Sequence, residues 1–345
     1  MLANPATEAL GSGRLHHLPL VTLYLTERCN SRCVTCDYWK HGQIDLSLRS
    51  VTRLLPGLRQ LGTQVILFSG GEPLINPEWP AIARILQAEG YKLWLLTSGL
   101  SLAKHARRVA EVFEAVTVSL DGTNAATYAA IRGLDAFDTV CAGIRAASNL
   151  VPVSVRVTVQ RANYQELPAF VELTRQLGAR QVSFLAVDIA NPHAFGRVED
   201  FAPGLALQPE DVPKLEAILA DLERTHAADF QSRFIAESPQ KLRRIHQYFA
   251  AVCGLGEFPP VRCNAPELSA VIEAKGRVNP CFFIPGPPAD PAGLERSVNS
   301  EPMRELRAVI RAGGRPECQR CVCSLWRDPG KRSASDFLLG GRTNG

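Results

Sequence analysis

The sequence predicts an α/β protein in which a parallel sheet carries its chemistry along one rim. Three observations support this. Between residues 21 and 188, short runs rich in aliphatic and β-branched residues alternate with longer segments of helical period, the pattern of repeated βα units. The strand runs are near-continuously apolar, as strands covered on both faces are. Polar and thiol residues gather just after the strand ends, where open α/β sheets and barrels place their ligands.

The first run is "VTLYLTE" at 21–27, followed by Cys29, Cys33 and Cys36 in "TERCNSRCVTCDYWK". The second, "QVILFSG" at 64–70, opens into Gly70, Gly71, Glu72 and Pro73. The third and fourth, "YKLWLLTS" at 91–98 and "AVTVSLDG" at 115–122, carry Thr97, Ser98, Ser119 and Asp121 on the same rim. "VSVRVTVQ" at 153–160, with Arg156, and "QVSFLAV" at 181–187 complete six runs. Each intervening segment is long enough for a crossover helix, and three end in Gly, a frequent helix C-cap. Six such units form either an open sheet or a partial barrel.

After residue 190 the pattern changes to a loop-like stretch, two helical segments ("EDVPKLEAILADLERTHA" and "SPQKLRRIHQYFAAV"), and a last hundred residues rich in Pro, Gly and Cys. There "LSAVIEA", "GRV" and "NPCFFI" resemble a hairpin and "SEPMRELRAVIRAGG" a short helix. So few apolar residues give that end little core of its own, and a metal staple would help it fold. The expected divisions are an N-terminal extension at 1–17, a core at 18–205, a helical connector at 206–250, a cysteine-rich domain at 251–335 and a tail at 336–345.

With 345 residues, 46% of them hydrophobic, the chain can bury a large core. The balance of 38 basic against 34 acidic residues points to neither nucleic acid nor a membrane surface. No basic-then-apolar leader opens the chain, and nowhere do about 18 apolar residues run together. The expected location is cytoplasmic, where ten cysteines act as ligands, core thiols or catalysts and not as a disulfide framework.

Cys29, Cys33 and Cys36 offer three thiolates in one loop, enough for three corners of a cubane iron–sulfur cluster with one iron left without a protein ligand. The alternative is zinc, which must recruit His16, His17 or His41 as a fourth ligand or keep a water. Joined to "SGGEP" at the end of the second strand, the CxxxCxxC loop resembles that of the radical S-adenosylmethionine (SAM) superfamily. The resemblance implies a partial (β/α)6 barrel and a [4Fe–4S] cluster whose open iron chelates SAM. Reductive cleavage of SAM then yields a 5′-deoxyadenosyl radical, with electrons from an external donor such as flavodoxin or ferredoxin. It also implies that Gly70, Gly71, Glu72 and Pro73 receive the SAM ammonium group, Glu72 supplying negative charge. Ser119, Asp121 and Arg156 match positions that hold the methionine carboxylate or the ribose; Arg156 also reads as a surface residue paired with an acid. One departure is Thr35, where relatives often carry an aromatic residue beside the adenine; Tyr38 and Trp39 follow instead and read equally as core residues.

At the other end, twelve residues separate Cys263 from Gly276 and four separate Gly276 from Cys281, while "ECQRCVC" adds Cys318, Cys321 and Cys323. This resembles the SPASM and shorter twitch extensions, which bind auxiliary [4Fe–4S] clusters. It implies one auxiliary cluster on Cys263, Cys281, Cys318 and Cys321, with Cys323 a substitute or neighbour; a four-cysteine zinc site is the alternative. Cys141 reads as a buried helix thiol, and Cys253 as a core residue, a ligand or a substrate-side thiol. The expected activity is hydrogen abstraction from a small-molecule substrate in an oxidation or rearrangement. Only about twenty residues precede the first strand, too few for the leader-binding domain that peptide-maturing relatives often carry. The alternatives are a ribosomal-peptide maturase served by a separate leader-binding protein, and a non-enzymatic iron–sulfur carrier or scaffold.

Overall fold

A computed structural model describes residues 13–189, 191–197, 204–288 and 293–327. The expected tail at 336–345, the last residues of the cysteine-rich domain and most of the N-terminal extension lie outside the described residues.

All six expected strands form: β1 (Leu20–Thr26), β2 (Val65–Gly70), β3 (Lys92–Thr97), β4 (Ala115–Ser119), β5 (Val153–Val159) and β6 (Gln181–Ala186). Each is parallel to its sequence neighbour, so chain order is sheet order, and the (β/α)6 arrangement is a partial barrel. Crossover helices Leu48–Gln60, Trp79–Ala88, Leu102–Val112, Phe137–Ser148 and Leu167–Gln176 cover it. The first is capped by Ser47, whose side chain accepts from the Ser50 amide at 3.1 Å. Phe68, Phe170 and Phe184 are essentially inaccessible between the layers. Burying each such side chain stabilises the fold by roughly 1.5–3 kcal/mol.

Both outer strands of the six are covered. The β6 edge exchanges hydrogen bonds with the segment before the connector helix: Val182 N donates to Phe234 O at 2.8 Å and Ala236 N to Val182 O at 2.9 Å. On the far side, β7 (Ser269–Ile272) lies parallel to β1, and β8 (Val278–Asn279) returns antiparallel through the turn at Gly276. The expected hairpin therefore exists, but as a continuation of the main sheet into eight strands. The physical reason is the unpaired backbone of β1, which a short, buried "AVI" segment satisfies. Connector helices Val212–Thr225 and Pro239–Val252 pack on one another, the second against β6. Among the described residues no helix is long and apolar enough to cross a membrane.

Candidate active site

The cysteine loop leaves β1 at the sheet's C-terminal rim and is held from several directions. Arg28 makes a forked pair with Asp45, Nε at 3.0 Å and Nη2 at 2.6 Å, and Nη2 also donates to the Ile75 carbonyl at 3.2 Å. Arg32 N donates to Arg132 O at 3.1 Å, Val34 N to Ile131 O at 3.0 Å, and Asp37 N to Phe195 O at 3.0 Å. Trp39 contributes its indole N–H to the Cys33 carbonyl at 3.3 Å, while Tyr38 meets Tyr24 edge-on at 6.0 Å. The two aromatics after the third cysteine thus shape this loop and its wall.

The three thiols share one environment. Burial pushes Cys29 up to about 11, with Glu72 and Cys33 adding to the rise against a 3.4 Å hydrogen bond from Ser31 N. Burial and then the charge of Cys33 push Cys36 up to about 12. Without a cation, Cys29 and Cys36 stay protonated at neutral pH. As thiolates, their natural partner is iron, and a soft three-sulfur set on one loop fits a [4Fe–4S] cluster.

The Gly70–Pro73 loop packs directly on the cysteine loop. Gly71 N donates to Thr26 O at 2.8 Å and Glu72 N to Arg28 O at 2.9 Å. A Cβ on Gly71 would stand 2.0 Å from the Arg28 carbonyl oxygen, and Gly70 has φ +116°, so neither position admits another residue without strain. Glu72 is fully buried, and its carboxyl group accepts from Leu74 N at 3.1 Å, Thr97 Oγ1 at 2.8 and 3.0 Å, and Ser98 N at 2.7 Å. Its side chain fastens β2 to β3, and the polar groups this loop turns outward are backbone ones.

Ser119 and Arg156 are register partners on β4 and β5. Arg156 Nε is buried without a hydrogen-bond partner among the described residues, unlike a surface pair. Asp121 spends both carboxylate oxygens inside the fold, accepting from Thr158 N at 2.7 Å and from Arg132 Nη1 at 3.1 Å.

Around a small apolar group of Ala194, Phe283, Ile284 and Ile310 gather Cys281, Cys318, Cys321 and Cys323. Burial pushes Cys281 up to about 12, backbone N–H groups of Phe283 and Ile284 pull it back, and Cys263 and Cys318 push it further. Cys263 is brought in by Asn264, which closes a clamp on the chain's far end. Asn264 N donates to Leu325 O at 2.8 Å, its side-chain amide donates to Arg327 O at 2.7 Å, and Arg327 N donates to Asn264 Oδ1 at 2.9 Å. Arg262 stacks over Trp326 at 3.7 Å beside it. Burial raises Cys323, and the cations Arg156 and Lys241 oppose the rise, so this thiol also faces the β5 side of the rim. Soft thiols around an apolar patch suit a second cubane. All ten cysteines are free, and no three or more His, Cys, Asp or Glu among the described residues close to single-ion spacing.

Cys141 is buried in the main core, as expected of a helix thiol. Cys253 is half-buried at the end of its helix and donates to the Leu207 carbonyl at 3.2 Å. Residues that the sequence reading missed are Asn264, Arg132 and Tyr128. The one local signal for the last two was the "YAAIRG" stretch, with Tyr128 and Arg132 one helical turn apart and Gly after them.

Comparison with known proteins places this geometry. The radical SAM superfamily model matches residues 23–174. An AdoMet-dependent heme synthase of Methanosarcina barkeri is 31% identical over 343 residues, spanning 92% of this chain and 94% of that protein. A probable GTP 3′,8-cyclase of Saccharolobus islandicus is 24% identical over 287 residues, 81% of this chain and 88% of that protein. The crystal structure of Streptococcus suis SuiB bound to precursor peptide SuiA superposes with a TM-score of 0.67 at 12% identity, covering 89% of this chain and 73% of that one. Members of the superfamily are enzymes that use a [4Fe–4S] cluster with SAM, and an auxiliary cluster fits their SPASM-type relatives. A cysteine loop clamped to a Gly-Gly-Glu-Pro loop at the rim of a (β/α)6 sheet, matched nearly end to end by such a relative, means that this chain belongs to the radical SAM superfamily.

Proposed function

We propose that this enzyme acts on a small molecule in a biosynthetic oxidation or rearrangement, with a carboxylate-bearing tetrapyrrole as the first candidate. The observation that carries the proposal is the similarity, over almost the full length of both chains, to a protein named as a heme synthase. The similarity to the peptide-bound SuiB, at 12% identity, supports the fold alone.

In this reading Cys29, Cys33 and Cys36 hold the SAM-binding cluster, and Cys263, Cys281, Cys318 and Cys321 hold the auxiliary one. Held in the first site, a [4Fe–4S] cluster would supply the electron for reductive cleavage of SAM. The backbone of Gly70–Pro73 accepts the SAM ammonium group, while Ser119 and the unpartnered Nε of Arg156 hold the carboxylate. Glu72 and Asp121 act beneath them, keeping the rim in shape through their buried hydrogen bonds. Cys323, beside Arg156 and Lys241, lines the approach from the auxiliary site. The protein's own share is to hold a substrate carbon near the reacting carbon and to exclude competing hydrogen donors.

The test is anaerobically reconstituted protein with dithionite, SAM and a panel of an iron porphyrin carrying propionates, GTP and a leader-bearing peptide. Expected is 5′-deoxyadenosine formation coupled to a mass change in a small molecule, abolished in the Cys29/Cys33/Cys36→Ala triple variant. Coupled turnover of the peptide alone would overturn the small-molecule reading, and undiminished cleavage in the triple variant would overturn the site.

A further inference from the structure

We propose that Arg132, Tyr128 and Ser31 form a buried set of donors that hydrogen-bond to the sulfur atoms of the triad's cluster and raise its reduction potential. The inference rests on the reading that Cys29, Cys33 and Cys36 hold that cluster. Its starting point is an excess of donors on one side of the loop. Ser31, Tyr128 and Arg132 have relative exposures of 1%, 0% and 9%. Among the described residues, Ser31 Oγ and Arg132 Nε are inaccessible and without a hydrogen-bond partner, and the inaccessible Tyr128 Oη has beside it only the Arg132 guanidinium, itself a donor, so that its O–H finds no acceptor. A buried donor with no acceptor is destabilising, so three around one loop indicate acceptors yet to arrive.

The backbone sets where these donors stand. Tyr128 and Arg132 lie four residues apart on the helix Ala125–Arg132 and so share a face. That helix is started by Asn124, whose side chain accepts from Thr127 N at 3.0 Å. It ends against the cysteine loop, with the Ile131 and Arg132 carbonyls accepting from Val34 N and Arg32 N on either side of Cys33. Gly133 permits this approach, for it has φ +72° and a Cβ there would lie 2.2 Å from the Arg32 carbonyl oxygen. Asp121 then fixes the guanidinium through Nη1, leaving Nε unspent.

Charge agrees with geometry. Burial alone would lower the Arg132 pKa, but a negative charge on Cys33, the Asp121 carboxylate and the hydrogen bond to Asp121 drive it upward. Burial raises Tyr128 to about 12; Arg132 opposes the rise and Cys33 adds to it. Arg132 also lowers Cys29 and Cys36. Hydrogen bonds to cluster sulfurs, net charge and solvent exclusion set the potential of iron–sulfur centres. A fixed cation and dry N–H and O–H donors favour the form carrying the extra electron. Arg132 is on this account a positioning residue, acting on SAM only through the cluster.

The experiment is an anaerobic redox titration of the reconstituted full-length protein, followed by electron paramagnetic resonance with iron content in parallel. The signal that changes on adding SAM identifies the triad's cluster against the auxiliary one. Expected is a lower midpoint in Arg132→Met, by about tenfold in the reduction equilibrium or 59 mV for one electron. Tyr128→Phe should give a smaller shift in the same direction, and Arg132→Lys should recover most of the loss. A fully loaded Arg132→Met with the wild-type midpoint overturns the proposal. Should that variant fail to load, Tyr128→Phe decides, since it removes a single oxygen; an unchanged midpoint there overturns it too. A wild-type protein with no SAM-responsive signal defeats the reading of the triad itself, an outcome distinct from a present but unshifted cluster.

Discussion

Replacing Glu72 with Ala tests whether this residue works as a structural tie or as a direct ligand contact. Truncation strands three buried donors: Leu74 N, Thr97 Oγ1 and Ser98 N. Thr97 cannot turn away freely, because its hydroxyl oxygen already accepts from Gly99 N at 3.0 Å. At about 1 kcal/mol for each stranded donor, the low end of the usual range, the loss is about 3 kcal/mol. For a chain of 345 residues, at roughly 2 cal/mol/K of unfolding entropy per residue, that lowers the melting temperature by about 4 °C. The assay is thermal unfolding of metal-free protein followed by circular dichroism, beside SAM cleavage by the reconstituted protein. Both should fall, and Glu72→Gln should recover part of the stability, since the amide oxygen still accepts while its NH2 group faces donors. An Ala variant as stable as wild type but unable to bind SAM would refute the reasoning, because it would show the carboxyl group acting on the ligand and not on the rim.

Asn264→Ala removes the two side-chain hydrogen bonds that tie residue 264 to Arg327 and leaves only the backbone bond to Leu325, so Cys263 should leave the auxiliary site. Iron should fall from about eight to about four per chain while reductive SAM cleavage persists; retention of about eight irons would count against the clamp. For the metal-free protein, Cys29 and Cys36 rise from 9.0 to about 11 and about 12 on folding, so their contribution to stability is complete below about pH 9 and is lost as pH climbs to about 12. The denaturant midpoint should therefore fall over that window, and less steeply in Cys29→Ser/Cys36→Ser. The same thiols must shed protons to bind iron, so cluster loading at pH 9 should outpace loading at pH 7.

Much of this protein could be read along the chain. The six strand runs appear within three residues of their expected bounds, because near-continuous apolar runs alternating with helical period leave one economical arrangement, a parallel sheet with covering helices. The cysteine triad and the Gly-Gly-Glu-Pro loop were equally legible, since both are short, follow strands and carry their chemistry in covalent spacing. What lay beyond such reading depends on residues far apart in sequence. The hairpin continues the sheet only because β1 offers an unpaired edge some 250 residues earlier. Glu72 is a tie because Thr97 and Ser98 close over it, and Asp121 turns inward because Arg132 and the Thr158 amide receive it. The spacing of Cys263 and Cys281 was visible, but not that Asn264 grips Arg327 across 63 positions. Local periodicity reports which face of a segment is apolar; which polar group ends up buried beside which thiol is decided by long-range packing, where each donor and acceptor must find a partner or wait for a ligand.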